Sequence, residues 1–272
     1  MDIYGIIGNP VEHSLSPTLH EAAYDKRELD ATYAIFEVNT NRLESAIQGA
    51  EALGIQGLNV TIPFKEDVLK YVQADQLAEQ IGAVNTIDFA TSPPTGYNTD
   101  AIGAKHALYY HDVEIPSQQF LVIGAGGAAR AICYMLERED ASITIANRTF
   151  KRGKRLADEL NSRAIKLEDV TEISQNVDIL INATSVGMEE NKSPVPPEAL
   201  HSELTVMDIV YRPLKTKLIE DANASGAKTI DGAWMLLYQG AKSFEIWTEY
   251  EAPIDVMNAA LRNYIEETST TG

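Results

Sequence analysis

Short apolar runs alternate with amphipathic stretches along the whole chain: IYGIIG, ATYAIFEV, IQGLNVTI, AVNTIDF, QFLVIGAG, SITIANR, VDILINA, LTVMDIV and AKTIDGAW. Strand, helix and strand in that rhythm build a mostly parallel sheet covered by helices on both faces, so an α/β class is expected. At 272 residues the chain can bury more than one core. The rhythm breaks at the loop TSPPTG and again at the polar connection HDVEIPSQQ, between which GYNTDAIGAKHALYY turns helical after Asp100. These breaks predict a first domain over residues 1–102 and a nucleotide-type domain over 103–235. The helical end beginning at MLLYQGAKSFEIW is too long to belong to the last strand. Residues 236–272 are therefore expected to return to the first domain, with the polar tail EETSTTG frayed.

Forty acidic residues against 22 basic ones leave a formal charge of −18. That balance excludes nucleic acid and anionic membrane as main partners. No apolar run approaches the roughly 20 residues of a membrane span, and MDIYGIIGNP lacks the basic opening of a signal peptide; a cytoplasmic protein is expected. The single cysteine, Cys133 in AICYMLE, reads as core packing. His13, His20, His106, His111 and His201 show no ligand spacing, so no metal is expected.

QFLVIGAGGAARAICYMLE is an apolar strand, a glycine cluster and a helix in succession. In a dinucleotide site Gly124 makes the tight turn, Gly126 lets backbone N–H groups approach a pyrophosphate, and a small residue such as Ala129 sits where helix meets strand. The next strand, SITIA, ends in NRTFKRGKRL, where an NAD site usually places an acid for the ribose 2′-hydroxyl. Arg148, Lys151, Arg152, Lys154 and Arg155 instead put five of the 22 cations within eight residues. A solvated helix face is the plain alternative. The strand-end position favours a clamp for a 2′-phosphate, hence NADP rather than NAD.

GLNVTIPFKEDVLKYV alternates as a strand should, with Leu58, Val60 and Ile62 on one face, Asn59 and Thr61 on the other, and Pro63 as the stop. Lys65 then lies at the carboxyl end, where open α/β sheets bind ligands. A lysine opening a helix can equally be a solvated one, and Asp100, its candidate partner, can equally be a helix N-cap. Asn85 and Thr86 have a bland explanation in hydrogen bonds within a buried strand. In GNPVEHSLSPTLH, Ser16 before Pro17 reads as an N-cap with proline at the first helical position. Ser14 is left over, and two hydroxyls beside a helix N-terminus would suit an anion.

Taken in order, GNPVEHSLSPTLH, NVTIPFK, GAVNT, GYNTDAIG, GAGGAAR, NRT with Arg152, NATSVGM, DIVYRPLKTKL and MLLYQGAKSFEIW resemble the shikimate dehydrogenase family from end to end. The resemblance implies a two-domain α/β enzyme, a mostly parallel-sheet substrate domain joined to a Rossmann-type NADP-binding domain. It also implies reversible, NADP-linked oxidation of shikimate to 3-dehydroshikimate in chorismate and aromatic amino-acid biosynthesis, and it leaves room for a homodimer. Ser14 and Ser16 are implied for the substrate carboxylate, Thr61, Asn85, Asp100 and Gln239 for its ring hydroxyls, Tyr211 facing it, and Lys65 with Asp100 as the catalytic pair. Gly124, Gly126, Gly127 and Ala128 fall on the phosphate loop, and Asn147, Arg148, Thr149 and Arg152 on the adenosine-phosphate site. Thr184, Ser185, Met188, Val210, Gly232 and Met235 fall at the nicotinamide end. Glu21 and Tyr24 stand where the family commonly has Asn and Phe, and Glu249 where it often has Gly; these positions bear on helix packing. A quinate/shikimate dehydrogenase would usually carry an acid in place of the Asn147 cluster if it used NAD, and a non-catalytic NADP sensor would not need both Lys65 and Asp100.

Self-repulsion at a charge of −18 separates two origins of the acidity, a salt-rich cytoplasm and an ordinary acidic protein. Raising KCl from about 0.1 M to about 1 M shortens the Debye length from roughly 10 to 3 Å. Adaptation to salt predicts a melting temperature that climbs over this range, and a flat or falling curve discards it.

Overall fold

The first apolar run becomes strand β1 (Asp2–Gly8), whose last five residues are all buried because it lies between two parallel neighbours. The structure, a computed structural model, describes residues 1–270. After β1 come α1 (Ser16–Arg27), β2 (Ala31–Glu37), α2 (Leu43–Ala52), β3 (Gly57–Val60), β4 (Gln73–Ala74), α3 (Gln76–Ile81), β5 (Thr86–Asp88), β6 (Thr95–Tyr97) and α4 (Thr99–Tyr110). The second series is β7 (Gln119–Ile123), α5 (Gly127–Arg138), β8 (Ser142–Ala146), α6 (Phe150–Glu159), β9 (Arg163–Ile165), α7 (Val170–Ser174), β10 (Ile179–Asn182), β11 (Thr205–Asp208), α8 (Lys217–Ala224) and β12 (Lys228–Ile230). Two long helices close the chain, α9 (Gly232–Thr248) and α10 (Ile254–Thr270). One compact unit holds Met1–Gly103 with the chain from Leu237 onward, the other Ala104–Leu236.

In the first unit the sheet order is β2-β1-β3-β5-β6-β4. The β1–β2 and β1–β3 pairs are parallel, whereas β5 runs antiparallel to both β3 and β6. Ile7, Ile47, Leu58, Phe64, Val84 and Ile87 belong to its core. In the second unit the order is β12-β11-β10-β7-β8-β9 with every pair parallel, the doubly wound arrangement whose connections reverse between β7 and β10. Leu121, Leu180, Val206 and Leu218 pack its core, and Cys133 is fully buried, its thiol pushed up to about 12 by desolvation. No helix among the described residues is long and apolar enough to cross a membrane.

Three local expectations are corrected. The strand over GLNVTI stops at Val60, and Ile62 is 65% exposed, because the Phe64 N–H bonds back to the Thr61 carbonyl and turns the chain. Lys65 consequently sits in a turn, followed only by a 3-10 turn over Asp67–Lys70. The helix α10 carries through the polar tail as far as Thr270, where fraying was expected; residues 271 and 272 of that tail lie outside the described residues.

The unusual residues of the sequence do bear on helix packing. Glu21 on α1 accepts from the Thr32 hydroxyl and the Tyr33 N–H of β2, and Tyr24 is fully buried. Glu249 follows α9 with φ of 59° and sends its N–H to the Glu245 carbonyl, a left-handed helix end that glycine adopts without strain. Glu249→Gly should therefore stabilise the protein by about 1 kcal/mol, read as a rise of roughly 2–4 °C in melting temperature. An unchanged or lower value would mean that the left-handed residue carries no strain.

Candidate active site

Sheet topology gathers the predicted substrate residues of the first unit. The parallel strands β1 and β3 release Ser14 with Ser16 and Thr61 with Lys65 at their carboxyl ends. Antiparallel β5 begins at that same edge, since Asn59 pairs with Thr86 and the Val60 N–H meets the Asn85 carbonyl. Strand β6 ends there too, because Thr86 pairs with Tyr97, so Asn98, Thr99 and Asp100 leave the sheet beside Asn85.

Lys65 Nζ donates to Asp100 Oδ2 over 2.5 Å, with the lysine side chain 17% and the aspartate 7% exposed. The N-cap alternative for Asp100 is answered by Asn98, whose Oδ1 accepts from the Ala101 N–H and so caps α4. Asp100, one turn position inside the helix, keeps its carboxylate for Lys65 and for Asn85 Nδ2, which donates to Oδ1 over 2.9 Å. Asn85 does more than satisfy a strand: its Oδ1 accepts from the Thr99 N–H at 2.7 Å, and its Nδ2 also reaches Gln239 Oε1 at 3.4 Å. An ammonium has three N–H donors, so two on Lys65 remain for a ligand after Asp100 is served.

Beneath lies a fully paired polar layer. Asn59 Nδ2 donates to Ser243 Oγ and Thr86 Oγ1, and Asn59 Oδ1 accepts from the Tyr33 hydroxyl. Sequence reasoning missed Ser243, which is fully buried on α9; its contacts with Asn59, Thr86 and Thr99 mark it. Below this layer His20 stacks on Tyr33 with ring centroids 4.5 Å apart. Neither ring nitrogen has a hydrogen-bond partner among the described residues.

The serine pair is arranged differently from expectation. Leu15 is the N-cap of α1, and Ser16 and Pro17 are its first residues. Ser14 Oγ accepts from the Ser16 N–H and donates to Ser16 Oγ, both at 3.2 Å. It is Ser14, therefore, that serves a free amide at this helix start, and the Ser16 O–H has no acceptor among the described residues. No acid stands in the first turn, so the positive helix end is unneutralised. Thr61 is partly buried on the neighbouring loop, its N–H bonded to the Ile7 carbonyl.

In the second unit Gly124 leaves β7 with φ of 126°, and a Cβ there would stand 2.8 Å from the Ala183 carbonyl oxygen; only glycine fits. Gly126 is the N-cap of α5, yet a Cβ on it would meet nothing within 4 Å. The protein's own packing does not require glycine there, and the open space above the helix start suits an approaching phosphate. Gly127 and Ala128 are partly exposed beside it, while Ala129 is buried against the sheet. Asn147, after β8, sends Nδ2 to the Thr149 carbonyl, shaping the turn that carries exposed Arg148 and leads into α6, where Arg152 is exposed. Arg148 has no ion pair among the described residues. These groups fit a cofactor with a pyrophosphate and a further phosphate.

The remaining positions lie on the loops after β10 and β11 and at the start of α9. Thr184 bonds back to Asn182 Oδ1, Ser185 accepts at its carbonyl from the Met188 N–H, and Met188 is 44% exposed. Val210 and Met235 are buried, and Tyr211 is partly buried with its phenol pKa raised by desolvation. Gly232 abuts the Val210 carbonyl group, from which a Cβ would stand 2.5 Å.

Comparison with known proteins gives three successive family matches. Residues 6–87 match the family model described as the shikimate dehydrogenase substrate binding domain, 107–210 that of shikimate / quinate 5-dehydrogenase, and 232–262 the shikimate 5'-dehydrogenase C-terminal domain. A shikimate dehydrogenase (NADP(+)) of Haloarcula marismortui is 55% identical over 266 residues, 97% of this chain and 100% of that protein. A crystal structure of a shikimate dehydrogenase in complex with NADP+ superposes with a TM-score of 0.93 at 42% identity, covering 97% of this chain and 96% of that one. The Thermus thermophilus shikimate 5-dehydrogenase in complex with NADP(H) and shikimate gives 0.90 at 35% identity, covering 97% and 99%.

Burial lowers the His20 pKa from 6.5 to about 3. A base whose folded pKa is depressed contributes full stability above its unfolded pKa and loses it as pH falls. Relative to His20→Phe, the protein should lose roughly 1.4 kcal/mol per pH unit between about 6.5 and 4. Parallel stability curves for the two proteins would show that the ring is not held neutral.

Proposed function

The chain belongs to the shikimate dehydrogenase family, and from that premise we propose that it interconverts shikimate and 3-dehydroshikimate with NADP, the reductive direction serving aromatic amino-acid biosynthesis in the cytoplasm. The observation that carries this reading is the Lys65–Asp100 contact of 2.5 Å at the sheet edge that also presents the serine pair. The unit of Met1–Gly103 with the chain from Leu237 holds the substrate, and Ala104–Leu236 holds the cofactor.

Ser14, Ser16 and the start of α1 bind the substrate carboxylate through hydroxyl and amide donors and the helix dipole. Thr61, Asn85, Asp100 and Gln239 hold ring hydroxyls, and Tyr211 is assigned to substrate binding. In oxidation Lys65, as the neutral amine, takes the proton of the reacting hydroxyl and becomes the ammonium that Asp100 holds; in reduction that ammonium returns the proton to the oxygen. NADP, when bound, supplies the hydride acceptor. Gly124, Gly126, Gly127 and Ala128 take its pyrophosphate, Asn147, Arg148, Thr149 and Arg152 its 2′-phosphate, and Thr184, Ser185, Met188, Val210, Gly232 and Met235 its nicotinamide end. Support for the phosphate assignments comes from the open space at Gly126 and from the guanidinium of Arg148, which has no ion pair among the described residues.

Absorbance at 340 nm, followed with shikimate and NADP, then NAD, then quinate, tests the reaction. NADPH formation from shikimate is expected, and activity confined to NAD or quinate would overturn the cofactor or substrate assignment. Lys65→Ala should lower kcat by roughly 10² to 10⁴ with little change in the KM for shikimate. Ser14→Ala should instead raise that KM about tenfold, the cost of one hydrogen bond to a charged group. Normal turnover in Lys65→Ala removes Lys65 from proton transfer.

A further inference from the structure

Asp208 is a fully buried carboxylate that the proposed chemistry does not use. It ends β11, in register with Asn182 at the end of neighbouring β10. Its Oδ1 accepts from Asn182 Nδ2 at 2.9 Å and from the Val210 N–H at 3.0 Å, and its Oδ2 from the Thr216 hydroxyl at 2.6 Å. Asn182 in turn accepts at Oδ1 from the Thr184 N–H and hydroxyl, and Nδ2 also donates to the Val186 carbonyl. One pair of side chains thus anchors the loops after β10 and β11, the first of which leaves the sheet beside its point of reversal. Gly232 also lies against the Val210 carbonyl group, from which a Cβ would stand 2.5 Å.

A carboxylate is expensive to bury, and desolvation raises this one to about 6 with no cation among its causes. A neutral side chain could fill the same space, so the geometry asks what the two oxygens accomplish. Oδ2 holds Thr216, the N-cap of α8, and Oδ1 fixes Val210 and, through Asn182, Thr184. Val210 and Thr184 are both positions the proposed function assigns to the nicotinamide end.

Resting on that reading, we propose that Asp208 is a positioning residue for the cofactor, its carboxylate holding the Thr184 and Val210 loops in register so that the nicotinamide end is received in one pose. The phosphate groups are received elsewhere, at α5 and after β8. Loss of Asp208 should therefore be felt by the nicotinamide and not by the rest of the cofactor. A carboxamide retains the arrangement, because its oxygen can face Asn182 and Val210 while its NH2 donates to the Thr216 hydroxyl.

Calorimetric titration with NADP and with 2′-phospho-ADP-ribose, which lacks only the nicotinamide, provides the test. Asp208→Ala should weaken NADP about tenfold, as expected for one lost buried hydrogen-bond partner, and leave 2′-phospho-ADP-ribose unchanged. Its kcat should fall about 100-fold through misplacement of the reacting groups, with the KM for shikimate unaltered. Asp208→Asn should restore both values to near wild type. Equal weakening of the two ligands, or no weakening of either, would overturn the proposal. Should Asp208→Ala fail to fold, Asn182→Ala, which frees only the Thr184 loop, carries the same comparison of ligands. Wild-type protein inactive on shikimate and NADP would sink the proposed reaction, while the difference between the two ligands would still judge Asp208.

Discussion

One buried amide holds the edge of the first sheet together. Asn85 lies just before β5 and meets the start of α4 through the Thr99 N–H, the catalytic candidate Asp100 through its carboxylate, and α9 through Gln239. A carboxylate accepts hydrogen bonds only, so without Asn85 one oxygen of Asp100 would face a dry interior unpaired. With it, Oδ2 stays directed at Lys65. Asp100, Thr99 and Gln239 are therefore aligned by one residue whose own hydrogen-bonding capacity is in full use, and through Asp100 so is Lys65.

The layers below explain why that arrangement can be rigid. Asn59, Thr86 and Ser243 are all buried and all paired, and such networks specify a single arrangement only when complete. His20 and Tyr24, whose ring nitrogens and hydroxyl lack hydrogen-bond partners among the described residues, are on the aromatic side of this layer, where His20 packs with Tyr24, Tyr33 and Trp247. Packing there compensates for lost hydrogen bonds, and no polar atom is left unpaired among the residues that align Asp100.

The second unit uses a different principle. Its strands are all parallel, so every loop that follows a strand leaves from one edge. Gly124 turns the chain sharply enough, at φ of 126°, to bring the start of α5 over that edge, and its missing Cβ admits the Ala183 carbonyl. The donors offered there are backbone amides, which need no particular side chain. Asn147 shapes the turn beside the exposed cations after β8, and the Asp208–Asn182 pair anchors the loops after β10 and β11.

Local order was legible wherever chemistry is local. The β-α-β rhythm, the strand-turn-helix at Gly124, the burial of Cys133 and the cation cluster after β8 follow from residue type and spacing alone, because period and turn chemistry act over a few residues. The limits of β3, the turn around Lys65 and the exchange of roles between Leu15, Ser14 and Ser16 were settled by backbone hydrogen bonds that no periodicity reveals. Asp100 shows the same division most sharply. As a residue near a helix start it could cap the helix or serve a lysine 35 positions away, and the sequence left both open. Only the folded chain decided, because Asn98 took the cap and the antiparallel turn of β5 and β6 carried Asp100 to the strand end that presents Lys65.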